Sequence, residues 1–113
     1  MTYREFTYGL GDMVISYQVL EGNLRRFLKM KGDIHTLLPS ALDSLPNDLG
    51  EEIGYLASRA EYYFHDVSLS FIDDDDLEES PAFEKAVAFL NADHQRIYAA
   101  NSALLKLNLS RGN

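Results

Sequence analysis

The sequence predicts an all-α protein, an antiparallel helical bundle of about four helices with an acidic loop before the last helix. Two observations predict it. Apolar residues recur at alternating steps of three and four along four stretches, the spacing that gathers them on one helical face. Short segments with capping or stop chemistry separate those stretches, and short connections favour bundles. At 113 residues the chain makes one domain, residues 1–113.

In the first stretch Tyr3, Phe6, Leu10, Met13, Tyr17, Leu20, Leu24 and Phe27 form the stripe. Thr2 and Glu5 have capping-box spacing. Gly9 and Gly11 each cost about 1 kcal/mol against Ala in a helix interior, so a break is expected there, with Asp12 as a second cap. Gly32 offers the left-handed conformation that ends a helix. Thr36 is placed to cap the second helix, with Pro39 in its first turn and Leu37, Leu38, Ala41, Leu42 and Leu45 on its apolar face. Asp48 and Glu51 repeat the capping spacing for a third helix carrying Leu49, Ile53, Leu56, Ala60, Tyr63 and Val67. Residues 67–72 alternate like a strand and suit an extended connector. Ser80 and Pro81 then start a fourth helix that turns Phe83, Val87, Leu90, Ile97, Leu104 and Leu107 inward. Residues 108–113 read as a frayed tail.

Charge is the most uneven property of the chain. The formal net charge is −8. Residues 43–84 hold thirteen acids and a single base, Arg59, while the flanking regions sum to +1 and +3. Six acids, Asp73, Asp74, Asp75, Asp76, Glu78 and Glu79, crowd the predicted loop. Helix-dipole complementation accounts for the acids nearest Pro81 and dies away within one turn. The four aspartates further out read either as a solvated loop or as a docking surface for a basic protein partner, with Glu61, Tyr62 and Asp66 as neighbouring contacts. The same field disfavours nucleic acid, whose affinity comes from Lys and Arg. The N-terminus lacks a secretory pattern and no stretch has the length and apolarity of a membrane span, so a cytoplasmic protein is expected. The chain has no Cys, which removes disulfide and thiolate chemistry.

Catalytic and metal chemistry find little support. Asp73, Asp75 and Glu84 fall at positions 1, 3 and 12 of a calcium loop, but Leu77 and Glu78 stand where a ligand and the turn glycine belong. His35, His65 and His94 are scattered, and no pair of Glu-x-x-His motifs is present. No cofactor or metal is expected. Asp93 and His94 interrupt the fourth apolar stripe, so a polar partner within the fold is expected there.

Arg59-Ala60-Glu61-Tyr62-Tyr63-Phe64-His65 resembles the motif of HEPN ribonucleases, helical proteins with an Arg and a His separated by four to six residues. The gap here is five. That resemblance implies RNA cleavage by Arg59 and His65, although Ala60 replaces the polar residue that commonly follows the Arg. In size, acidity, lack of cysteine and helical character the chain also resembles small acidic immunity proteins of colicin and contact-dependent inhibition systems. That likeness implies a non-enzymatic inhibitor that binds and neutralises a basic, nuclease-type toxin domain. The expected function is therefore toxin inhibition by protein binding, with the HEPN-like ribonuclease as the alternative.

Overall fold

The computed structural model describes residues 2–46, 48–61 and 81–111. Thr2 starts the first helix: its backbone is extended and its hydroxyl accepts the Glu5 N–H at 3.1 Å, as the capping spacing predicts. α1 then runs unbroken over Tyr3–Leu28. The break expected at Gly9 and Gly11 does not occur. Phe6 and Met13, flanking the glycines, are both buried, and each such side chain contributes about 1.5–3 kcal/mol, which outweighs the glycine penalty. Gly9 also lets α1 approach its neighbour, since a Cβ there would lie 3.2 Å from Leu90 Cδ2. The helix ends at Lys29 rather than at Gly32. Lys29 takes the left-handed conformation, φ 57° and ψ 37°, and its N–H bonds the Arg25 carbonyl.

α2 spans Ile34–Ser44. Asp33 caps it in place of Thr36, accepting the Thr36 N–H at 3.0 Å and its hydroxyl at 3.1 Å. Those bonds hold the Asp33 carboxyl below its ordinary pKa. The helix therefore begins earlier than Thr36 would place it. Pro39 lies inside it, where its missing N–H leaves the His35 carbonyl without a helical partner. Leu42, placed on the apolar face by its spacing, is exposed, whereas Ile34, Leu37 and Ala41 are buried. α3 follows over Leu49–Glu61. The helices meet at Gly50, where a Cβ would come within 2.9 Å of Leu42 Cα and 3.1 Å of the Ala41 carbonyl.

Pro81 is the first residue of the last helix, α4, which continues to Ser110. The tail expected to fray from residue 108 is instead held against α1. Asn108 is buried and donates to the Asn23 carbonyl at 3.3 Å. Arg111 donates to the Phe27 carbonyl at 2.7 Å and lies over the Phe27 ring.

The predicted all-α bundle is present, but the antiparallel arrangement expected of it holds for α3 with α4 and not for α1 with α4. α3 runs antiparallel to α4: Glu52 meets Arg96, Tyr55 and Arg59 meet Asp93, and Arg59 lies over Phe89. α1 and α4 run parallel: Phe6 packs on Phe83, Ser16 meets His94, Asn23 meets Asn101, and Phe27 meets Arg111. α2 has only 11 residues, about 17 Å of helix, too short to return the chain along the 26 residues of α1. α3 starts beside the end of α4, level with the end of α1, and itself makes the return, so α4 sets out in the direction of α1.

The parallel pair keeps a heptad register. Phe6, Met13, Leu20 and Phe27 face Phe83, Leu90, Ile97 and Leu104, and all eight are buried. Beside this apolar row runs a polar one at the same spacing: Ser16 and Asn23 on α1, His94, Asn101 and Asn108 on α4. Asn23 donates to the Asn101 amide oxygen at 3.2 Å, and Asn101 donates to the Ser16 carbonyl at 3.1 Å. Repetition every seven residues keeps both rows on the seam along its whole length.

Two glycine substitutions separate these roles. Gly11 has nothing within 4 Å of a built Cβ, so Gly11→Ala raises stability by about 0.5–1 kcal/mol. Gly50→Ala forces backbone apart and lowers it by about 1–3 kcal/mol. Urea unfolding followed by helical circular dichroism measures both.

Candidate functional site

α2 and α3 form a layer on one side of the α1–α4 pair, and this layer carries the described acids of the acidic region except Glu84, which is exposed at the start of α4. Asp43, Asp48, Glu51 and Glu61 are exposed. Three ion pairs occur among the described residues, Arg25–Glu21, Arg59–Asp93 and Arg96–Glu52, and none involves those four acids. Of the residues expected to contact a partner, Glu61 is therefore placed at the exposed end of α3. Tyr62, Asp66, Asp73, Asp74, Asp75, Asp76, Glu78 and Glu79 lie outside the described residues, as does His65.

Arg59, the single base within residues 43–84, turns inward. Its Nε donates to the Asp93 carboxylate at 2.8 Å, where the Asp93 side chain is 2 % exposed. The guanidinium also lies 3.8 Å from the centre of the Phe89 ring. Asp93 accepts a further, longer bond from the Tyr55 hydroxyl at 3.4 Å. The polar partner expected for Asp93 is thus present, and His94 has one in the Ser16 hydroxyl at 3.3 Å. Sequence spacing brought Arg59 forward as half of a ribonuclease motif, and the structure places it between two helices with a buried carboxylate. Its charge is matched internally and does nothing to neutralise the exposed acids of its own helix.

A second cation is committed in the same seam. Arg96 forms a two-pronged pair with Glu52, both bonds 2.6 Å, and stacks 3.8 Å from the centre of the Tyr55 ring. The bonds to Glu52 raise the Arg96 pKa despite some desolvation. Sequence reasoning missed this pair because its partners stand 44 residues apart on different helices. Arg25, near the end of α1, is likewise committed to Glu21 and to the Gly32 carbonyl.

The surplus of carboxylates reaches into the fold as a field. The Tyr17 hydroxyl, on a largely buried ring, has its pKa driven far above the ordinary value, first by burial and then by the carboxylates of Glu21, Asp33 and Glu61. Between the start of α3 and the end of α4 lies a groove of about 500 Å³, lined by Asp48, Leu49, Glu52, Lys106 and Leu107 among others. Its apolar lining is edged by charge of both signs, Asp48 and Lys106, with Glu52 already paired to Arg96. Among the described residues no cluster of three or more metal-ligating side chains occurs, and no helix is long and apolar enough to cross a membrane. No protein-family model, curated protein or solved structure matches the chain.

The buried pair generates a stability prediction. Arg59→Leu leaves the Asp93 carboxylate without its opposite charge and costs about 3–5 kcal/mol, whereas Arg59→Met with Asp93→Leu recovers most of that loss. Thermal unfolding of the three proteins distinguishes a matched ion pair from a dispensable one. Tyr17 gives a pH prediction. A tyrosine whose folded pKa is raised stabilises the fold below the unfolded value of about 10 and loses that contribution as pH rises beyond it. Tyr17→Phe therefore flattens the alkaline limb of the stability profile above pH 10.

Proposed function

We propose that this chain is a protein-binding inhibitor of the immunity-protein kind, which engages a basic, nuclease-type toxin domain through an acidic surface and acts in the cytoplasm without catalysis. The observation that carries the reading is the exposed set Asp43, Asp48, Glu51 and Glu61, outside every ion pair of the described residues, while the two arginines of the α3–α4 seam, Arg59 and Arg96, are paired with Asp93 and Glu52. Like charges held on one layer repel one another, and a cationic partner relieves that repulsion. The acidic run Asp73–Asp76 with Glu78 and Glu79 adds to the same charge in sequence.

The mechanism is occupation of a basic substrate site. Nucleases bind a polyanion, so a carboxylate surface competes for the same cations. Long-range attraction speeds encounter, and apolar contacts such as those of the α3–α4 groove slow dissociation. The ion pair of Arg59 with a buried carboxylate supports a structural role for that residue in preference to RNA cleavage.

The test uses a cationic nuclease domain encoded beside this chain in its native genome. Neutralising Asp43, Asp48, Glu51 and Glu61 together, and in a second variant Asp73–Asp76, Glu78 and Glu79, lowers the association rate by about tenfold or more and flattens its salt dependence. Nuclease activity, blocked by the unaltered protein, returns in proportion. Unchanged association in both variants contradicts the reading. Cleavage of structured RNA by the purified chain, lost on Arg59→Ala, would establish the ribonuclease instead.

A further inference from the structure

The side of the α1–α4 pair that faces away from α2 and α3 carries a second apolar stripe. Ile15 and Val19 on α1 are 61 % and 50 % exposed, and Tyr98 and Leu105 on α4 are 68 % and 46 % exposed. Tyr98 stands two residues from Arg96, about 200° around the helix, so it points away from the α3 contacts. Together with Asn23 and Asn101 these four side chains line a shallow groove of about 280 Å³. Each long helix is thus apolar on two sides, one closed by the core and the other open among the described residues.

We propose that this outer face is the interface of a homodimer, in which two copies of the chain pack their α1–α4 pairs into a four-helix layer. Three observations select a second copy over another partner. The first is charge: no residue lining the groove is charged, although the chain carries −8 overall. A cationic partner gains little on a neutral strip, whereas a neutral strip lets two acidic chains meet with the acids of α2 and α3 directed away from the contact. The second is chemistry. Asn23, Asn101 and the Tyr98 hydroxyl each donate and accept, so the face can satisfy its own copy across a two-fold axis. An axis perpendicular to the face sets the helices of the two copies antiparallel, with opposed dipoles. The third is area. The long side of the molecule measures 51 by 21 Å, an outline of roughly 1,070 Å², and a stable interface needs about 800 Å² per partner. A contact of that size extends past the groove along the same two helices, to Tyr8 on α1 and Leu109 on α4, both exposed.

This inference does not rest on the inhibitory role, and salt separates the two. Screening weakens attraction to a basic partner and relieves repulsion between acidic copies, so added salt strengthens the dimer. Sedimentation velocity on the full chain from 1 to 100 µM tests it. The expected species has twice the 12.8 kDa chain mass. Ile15→Glu with Leu105→Glu raises the dimer dissociation constant by about 100-fold or more by placing unpaired charge in the contact. Val19→Lys with Tyr98→Lys does the same, while Asp43→Asn with Glu51→Gln leaves the dimer intact. Helical circular dichroism of each variant confirms folding. An unaltered protein that stays at 12.8 kDa throughout overturns the proposal, including the case where the Glu variant is also destabilised because a segment of its own chain covers the face. So does a dimer that persists in both face variants, which would place the interface elsewhere.

Discussion

The parallel contact between α1 and α4 is the constraint on which the other features depend. Its apolar row supplies much of the core, from Phe6 against Phe83 to Leu20 and Leu24 near Ile97 and Leu104. Its polar row, Ser16 and Asn23 with His94, Asn101 and Asn108, adds directional bonds that a purely apolar seam lacks. A slip by one residue would break every one of those bonds at once, so the polar row selects a single register. With the register set, Asp93 faces α3 and Tyr98 faces outward, since five residues separate them along a helix of 3.6 per turn.

The price of that specificity is visible at Asn108. Its side chain has no exposure, its amide nitrogen bonds the Asn23 carbonyl, and its Oδ1 meets no donor among the described residues. An unsatisfied buried acceptor costs about 1–3 kcal/mol. The α3–α4 contact follows the same design, with a carboxylate and a guanidinium held between apolar side chains. Each of the two seams of α4 thus carries its own polar marker, and the markers differ in kind: neutral amides toward α1, ion pairs toward α3. That difference keeps α1 and α3 from exchanging places on α4.

Much of the fold was legible in the sequence because periodicity reports burial directly. Phe6, Met13, Tyr17, Leu20, Leu24 and Phe27 of the α1 stripe and Phe83, Leu90, Ile97 and Leu104 of the α4 stripe sit in the core, with Leu10, Val87 and Leu107 packed at its edge, and Pro81 and Thr2 start helices as their chemistry predicts. What escaped detection was tertiary. The glycines of α1 look like a break until Phe6 and Met13 are seen buried on either side. Asp33 and Thr36 both have capping chemistry, and only the helix start decides between them. The tail from residue 108 looks polar and free until Asn23 and Phe27 are placed beside it. The candidate site was legible as charge, in the count of acids around Arg59, but not as geometry. The inward turn of Arg59 depends on Asp93, 34 residues away, and no local pattern announces it. Tyr98 interrupts no apolar spacing in the sequence, and only the fold shows it exposed on the face away from α3.

The direction of α1 relative to α4 is the most direct test of this architecture. The chain has no cysteine, so paired cysteines can be introduced at exposed positions and spin-labelled without background. Tyr8 lies about five residues before the level of Asn91, because Phe6 packs on Phe83 and Ser16 meets His94, and Leu109 lies 18 residues further along α4, about 27 Å of helix rise. Pulsed electron resonance on labelled chains diluted into unlabelled protein should therefore give a short distance for the Tyr8–Asn91 pair and a distance greater by roughly that rise for Tyr8–Leu109. The reverse order would mean an antiparallel pair, and the polar row, the inward Arg59 and the neutral outer face would all lose their common basis.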